Sequence, residues 1–262
     1  MNSTTSFPGL AAETNYPGPL EVGSKGKPVR RLQEWLCLRG SNTAIDEDFG
    51  PATKAALEKW VKIALPTESG KGFTPNVWEF LVRPMVQAFQ PLGGTYVNLR
   101  SAIVDACRSH LRFRPREVGG DNRGPWVRAY MDGNDGSEWK WCAGFALSMV
   151  KQACVAAKVD PKTLPFKFSY SCDEIATSAR DKKVLVSGDN VARRSDVRAG
   201  DLFLVRRTPT DWIHVGVVMP PPSADLFHTA EGNTNDDGSA NGFEATERTR
   251  GWSSKDFVLL AR

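Results

Sequence analysis

Helical and strand-like patterns are segregated along this chain, and that order limits its fold more than any other feature. Up to about residue 183, apolar residues recur at three-to-four spacing: Val29, Leu32, Trp35 and Leu36, then Leu57, Trp60 and Val61, then Leu99, Ala102, Ile103 and Ala106. Such spacing lays one apolar stripe along a helix. Beyond that point the pattern changes. Val184-Leu185-Val186, Leu202 to Val205, His214 to Val218, Leu226 to Glu231, Phe243 to Arg248 and Phe257 to Leu260 are short and rich in β-formers. Turn residues such as Gly188-Asp189-Asn190 and Ala199-Gly200-Asp201 separate them, as expected for strands. Helices first and strands later, without regular alternation, predict an α+β fold with a largely antiparallel sheet.

Start and stop signals divide the helical part. Pro28, Pro51 and Pro75 each suit the first turn of a helix, Thr74 is a natural N-cap, and Gly40 a plausible stop. Residues 21–88 therefore read as a small helical domain. The Ser/Thr/Pro/Gly-rich residues 1–20 read as a flexible leader, and Gln90-Pro91-Leu92-Gly93-Gly94-Thr95 marks a linker over 89–98. The remainder, 99–262, reads as the second domain.

Composition excludes several classes. With 34 basic and 30 acidic residues the net charge is +4, so neither domain reads as a nucleic-acid binder. No apolar run approaches the roughly 18–20 residues that span a bilayer, and the N-terminal stretch lacks a basic segment followed by an apolar one. A monomer made in the cytoplasm without a conventional signal peptide is expected. Five cysteines (Cys37, Cys107, Cys142, Cys154, Cys172) lie scattered without CxxC pairs, which argues against a disulfide framework or zinc knuckle. Cys37, Cys107 and Cys154 fall in apolar helical patterns and read as small buried hydrophobes; Cys172 opens another helix.

Cys142 differs. It sits in Trp141-Cys142-Ala143-Gly144-Phe145, between the loop Asp132-Gly133-Asn134-Asp135-Gly136 and an apolar helical run. In a helix's first turn, unpaired N–H groups and the positive helix end favour a thiolate, which is a nucleophile. A base is then needed, and there are three histidines. His110 lies late in a helix and reads as solvated or capping. His214 starts an apolar strand and can face a helix N-terminus; His228 is the lesser candidate. Without an HxH or HExxH pair, a zinc hydrolase is disfavoured. Glu231 and Asn233 end the strand after His214. Two apart on an extended chain, their side chains face one way, and either could orient an imidazole. Trp126, Trp139, Trp141 and Trp212 could line a groove or simply pack.

Two resemblances add to this reading. Val29, Leu32-Gln33, Leu36, Gly40, Asp46, Phe49-Gly50, Thr53 and Ala56 resemble the small helical peptidoglycan-binding domain of cell-wall enzymes. Its loop usually reads Asp-Gly-x-Phe-Gly; here Glu47 replaces the first glycine. Glu117 to Pro125, Trp141-Cys142-Ala143, Gly200-Asp201-Leu202, His214 to Val218 and Glu231-Gly232-Asn233-Thr234-Asn235 resemble, in that order, the CHAP family of cysteine- and histidine-dependent peptidoglycan amidohydrolases. That likeness implies a papain-like core, with Cys142 as nucleophile, His214 as base, Glu231 as orienting acid and Asn233 assisting. It leaves open whether the scissile bond is that of an N-acetylmuramoyl-L-alanine amidase or an endopeptidase. It implies no cofactor. Some members hold calcium in an acidic loop before the cysteine, where Asp132, Asn134, Asp135 and Glu138 stand here. A side chain of the Glu117–Asn122 loop could be a further oxyanion donor. Peptidoglycan is the expected partner, met after release at phage lysis or by non-classical export. The alternative is a non-catalytic wall-binding or virion protein on the same scaffold.

Overall fold

The computed structural model describes residues 7–220, 225–235 and 242–260. Its helices are α1 (Pro8–Thr14), α2 (Lys27–Leu38), α3 (Pro51–Ala64), α4 (Pro75–Ala88), α5 (Leu99–Leu111), α6 (Pro125–Tyr130), α7 (Cys142–Ala157) and α8 (Cys172–Asp181). Its strands are β1 (Leu185–Ser187), β2 (Leu202–Thr208), β3 (Asp211–Met219), β4 (Leu226–Thr234), β5 (Glu244–Gly251) and β6 (Lys255–Val258). The mixed helical and antiparallel α+β character matches the order of patterns in the sequence. The chain divides into two compact units, Phe7–Gln87 with Arg116–Glu138, and Ala88–Pro115 with Trp139–Arg262.

The first unit is helical. Leu32, Trp35, Leu36, Trp78 and Leu81 are among its fully buried side chains. Burying each such group contributes about 1.5–3 kcal/mol. Pro28 and Pro51 occupy first turns, where a missing N–H costs nothing, and Thr74 caps α4 by accepting from Val77 N at 3.2 Å. Gln33, also buried, organises the loop between α2 and α3. Its Nε2 donates to Asp46 Oδ1 (2.7 Å) and Thr53 Oγ1 (3.0 Å), and its Oε1 accepts from Asp46 N and Glu47 N (both 3.1 Å). Glu47 is held there at φ 63°, the left-handed region that suits glycine.

Two expected boundaries give way. Residues 8–14 of the supposed flexible leader form α1, which packs on α6; the first six residues lie outside the described part. A Cβ on Gly9 would meet Arg128 O at 2.4 Å and Gly133 N at 2.8 Å, so only glycine permits this approach. Residues 116–138, expected in the C-terminal domain, belong instead to this unit. Charge explains both. Arg128 of α6 donates to Glu13 at 2.8 Å through Nε and Nη2, to Glu34 Oε2 at 2.5 Å and to Asp135 Oδ2 at 2.7 Å. Arg128, Glu13 and Glu34 are buried. Buried charges persist only when paired, so α1, α2 and α6 are tied by one cation.

The second unit is built on a sheet of order β1-β6-β2-β3-β4-β5, each described pairing antiparallel. Val197, Phe203, Val218, Phe227, Trp252 and Phe257 form an aromatic-rich core. Helix α7 packs on α5 and on β3 and β4. It is buried from Cys142 through Val150, as a helix apolar on most sides must be. The expected linker over 89–98 starts inside the second unit, packed on α5: Phe89 is buried and its ring lies edge-on to His110 at 4.6 Å.

Candidate active site

Cys142 is the first residue of α7, and Trp141 before it makes no side-chain cap. The first bond into the helix runs from Phe145 N to Trp141 O, so the N–H groups of Cys142, Ala143 and Gly144 precede the intrahelical ladder. Gly232 lets this helix start reach β4: a Cβ there would meet Phe145 Cβ at 2.5 Å and the Trp141 ring at 2.9 Å. His214 is the fourth residue of β3, and Glu231 lies on the neighbouring strand β4.

The structure brings Cys142, His214 and Glu231 together, all buried. His214 Nε2 and Glu231 Oε2 are 2.8 Å apart. With Nε2 engaged by the carboxylate, Nδ1 has no hydrogen-bonding oxygen or nitrogen among the described residues and is the nitrogen left for the Cys142 sulfur. Thr229 Oγ1 donates to Glu231 Oε1 at 2.5 Å, and Arg250 Nε and Nη2 grip Oε1 and Oε2, each at 2.5 Å. Glu231 is thus a fixed anion.

The ionisation balance follows from these contacts. Burial disfavours charge on His214, but hydrogen bonds to Cys142 and Glu231 and their charges outweigh it and push the imidazole up to about 9. Burial likewise opposes the Glu231 carboxylate, while hydrogen bonds and charge from Arg250 and His214 bring it down to about 2. The Cys142 thiol is held well below its ordinary value, first by a hydrogen bond from Cys172, against burial, then by the hydrogen bond and charge of His214 and the Val215 N–H. Together these favour a thiolate–imidazolium pair beside an orienting carboxylate.

Asn233 is buried on β4 but makes no hydrogen bond to those three. Its backbone has φ 52°, and the β4–β5 register shifts between Glu231 and Thr234. This irregularity breaks the alternation that would have put the two side chains on one face. Both Asn233 amide atoms are buried without a partner among the described residues.

Other candidates fall elsewhere. His110, expected solvated or capping, is buried with Nε2 3.0 Å from Gln152 Oε1. Burial outweighs that bond and lowers it to about 3; it is a neutral core histidine. His228 is exposed beside Thr249. Trp126 packs on Tyr130 in the helical unit, Trp141 is fully buried, and Trp212 donates from Nε1 to Asp256 at 2.8 Å. Trp139, half-buried, stands edge-on to Tyr170. Of the side chains considered for calcium, Asp135 is engaged by Arg128 and Asn134 is oriented by its Nδ2 donating to Met131 O. No group of three or more His, Cys, Asp or Glu side chains arranged for a metal occurs among the described residues. Asn122 N is bonded to Glu117 Oε2 at 2.7 Å within the helical unit. Sequence reasoning missed Thr229 and Arg250, and the influence of Cys172 on the Cys142 thiol. Thr229 carries a signal, since it precedes Glu231 by two on a strand; Arg250 carries none.

Comparison with protein-family models, with curated proteins and with solved structures found no match. No helix among the described residues is long and apolar enough to cross a membrane.

Proposed function

We propose that this chain is a cysteine hydrolase of the CHAP kind, with a papain-like catalytic unit, that cuts an amide bond in the peptide of bacterial peptidoglycan. The observation that carries the reading is the buried Cys142–His214–Glu231 relay at the start of α7. His214 takes the Cys142 proton. The thiolate attacks the amide carbonyl, and N–H groups at the start of α7 stabilise the oxyanion. Protonated His214 gives its proton to the leaving amine, and water then releases the acyl group from sulfur. Glu231, pinned by Arg250 and Thr229, holds the imidazole and balances its charge. No step needs a resident metal. The orphaned Asn233 amide is a buried donor available to the reacting groups.

The helical segment 21–88 is assigned the wall-binding role, on its likeness to peptidoglycan-binding domains. Digestion of purified peptidoglycan with wild type and Cys142→Ala, read by mass spectrometry of the new termini, tests the reading. Wild type should release peptides and expose either the muramic acid carboxyl or an internal stem amine, separating amidase from endopeptidase. Equal release by both proteins would remove Cys142 from the mechanism; no release by either would remove the substrate.

A further inference from the structure

Helix α7 is buried from Cys142 through Val150 and surfaces in its last turns. Lys151 and Val155, one turn apart, share a face there, and Val155 is 45% exposed. Against that face, the turn Pro161–Lys162 and the segment Phe166–Phe168 bound a groove of about 560 Å³. Its volume falls within the roughly 300–1,000 Å³ of small-molecule sites. The walls are fixed by the fold. Asp160 caps the 3-10 turn Pro161–Thr163 by accepting from Lys162 N at 2.9 Å, and Lys167 N donates to Ser178 Oγ of α8 at 2.8 Å. Phe166 is buried, and Phe168 stacks on it with ring centres 5.4 Å apart and an angle of 20°.

The lining has two halves. Val155, Pro161, Phe166 and Phe168 are apolar, and three ammonium groups, those of Lys151, Lys162 and Lys167, stand around them. Among the described residues no acidic side chain lines the groove. The neighbouring acids offset little. The Asp160 carboxylate is turned to a backbone N–H. Glu174 pairs with Lys167 at 2.8 Å, but the two side chains are 48% and 60% exposed, and such a pair contributes at most about 1 kcal/mol. This lining suits an anion with an apolar face. We propose that the groove is a subsite for an acidic muropeptide, the lysines holding carboxylates of the stem peptide and the C–H face of a sugar ring lying on Phe168. The face of an aromatic ring is negative and attracts C–H edges, and hydrogen bonds between ammonium and carboxylate are the stronger, charge-assisted kind. A phosphodiester polymer would use the lysines but leave the apolar half uncovered, which favours the muropeptide. Cys142 is the first residue of α7 and Val155 the fourteenth, so at 1.5 Å per residue the subsite lies about 20 Å along the helix from the nucleophile. It is separate from the reacting groups, and it holds wall material on the helix whose other end carries the sulfur.

The inference rests on peptidoglycan being the substrate, and its test reads the groove rather than cleavage. The full chain carrying Cys142→Ala, which leaves the groove intact and the probe uncut, is lightly acetylated while a soluble disaccharide-tetrapeptide is titrated in. Peptide mass spectrometry then follows modification of each lysine. The free-acid muropeptide should protect Lys162 and Lys167; the same muropeptide with its carboxylates amidated should protect them far less. Adding Lys162→Glu, at an exposed position, should raise the muropeptide concentration that half-protects Lys167 roughly five- to tenfold at low salt, and the difference should shrink as salt rises. Phe168→Ala should raise it as well, and if that variant does not fold, Lys162→Glu decides alone. No protection, equal protection by the amidated probe, or an unchanged half-protecting concentration in Lys162→Glu overturns the proposal, as does stronger protection by teichoic acid than by the muropeptide. Wild type that cuts the wall while the groove stays unprotected counts against the subsite alone. Protection that depends on Lys162, with a wall that wild type leaves uncut, supports the subsite and counts against the proposed cleavage.

Discussion

Replacing Arg250 with Met tests how the relay is held. Glu231 is fully buried, and its carboxylate accepts two bonds from Arg250, one from Thr229 and one from His214. Removing one partner of a buried ion pair costs about 3–5 kcal/mol, because the remaining charge is left uncompensated. The ionisation of Glu231 gives a second measure. A carboxylate at about 2 instead of 4.5 is stabilised by roughly 3 kcal/mol on folding, at about 1.4 kcal/mol per pH unit. Arg250 shares that stabilisation with His214, and its side chain is 15% exposed. The expected loss in Arg250→Met is therefore about 2–3 kcal/mol at neutral pH. The sign of the pH dependence is fixed. A carboxylate lowered in the folded state stabilises fully above about pH 4.5, and that stability is lost as pH falls through about 2. The gap between wild type and Arg250→Met should accordingly narrow in acid. Urea unfolding followed by tryptophan fluorescence at neutral pH and again near pH 3 measures both quantities. A neutral-pH gap below about 0.5 kcal/mol, the scatter of ordinary surface substitutions, or a gap that does not change in acid, would refute the reasoning.

Two further outcomes follow from the helical unit. Glu47→Gly should stabilise it by about 1 kcal/mol, since glycine relieves a left-handed backbone, and the ion pair at stake among the described residues is a 3.9 Å contact with the partly exposed Arg30; a lower urea midpoint would contradict this. Arg128→Met should cost about 2–3 kcal/mol, less than a fully unpaired buried charge, because Glu13 and Glu34 lose their shared buried partner and keep only the more exposed Arg31 and Arg30, and proteolysis should then cut near α1 at a concentration of protease that wild type resists.

The order of elements was legible because hydrophobic period is a local property. Leu32, Trp35 and Leu36 write a helix into consecutive residues, and Leu202 to Val205 write a strand, without reference to anything distant. The division into units was not legible for the opposite reason. What draws 116–138 to the N-terminal helices is a guanidinium 115 residues from its Glu13 partner. In sequence, Glu13 is one acid in a polar stretch, and nothing near it says that it will be buried. A leader rich in Ser, Thr and Pro reads as flexible only until such a partner is supplied.

The site divides along the same line. Cys142 was marked by its place at a helix start, and His214 and Glu231 by lying on adjacent strand-like segments, all local signals. Asn233 shows where the local rule fails, because the alternation of side chains holds only for regular extended backbone, and the left-handed turn at Asn233 with the shifted β5 register removes that premise. Arg250 shows the other limit. It sits opposite Phe227 in the register, four residues before the carboxylate it grips, so even a correct strand pairing would not have named it. A long side chain can cross that distance, and a buried anion needs a cation wherever one can reach. The requirement for a cation near Glu231 was derivable from burial alone; which residue meets it is a property of the folded sheet.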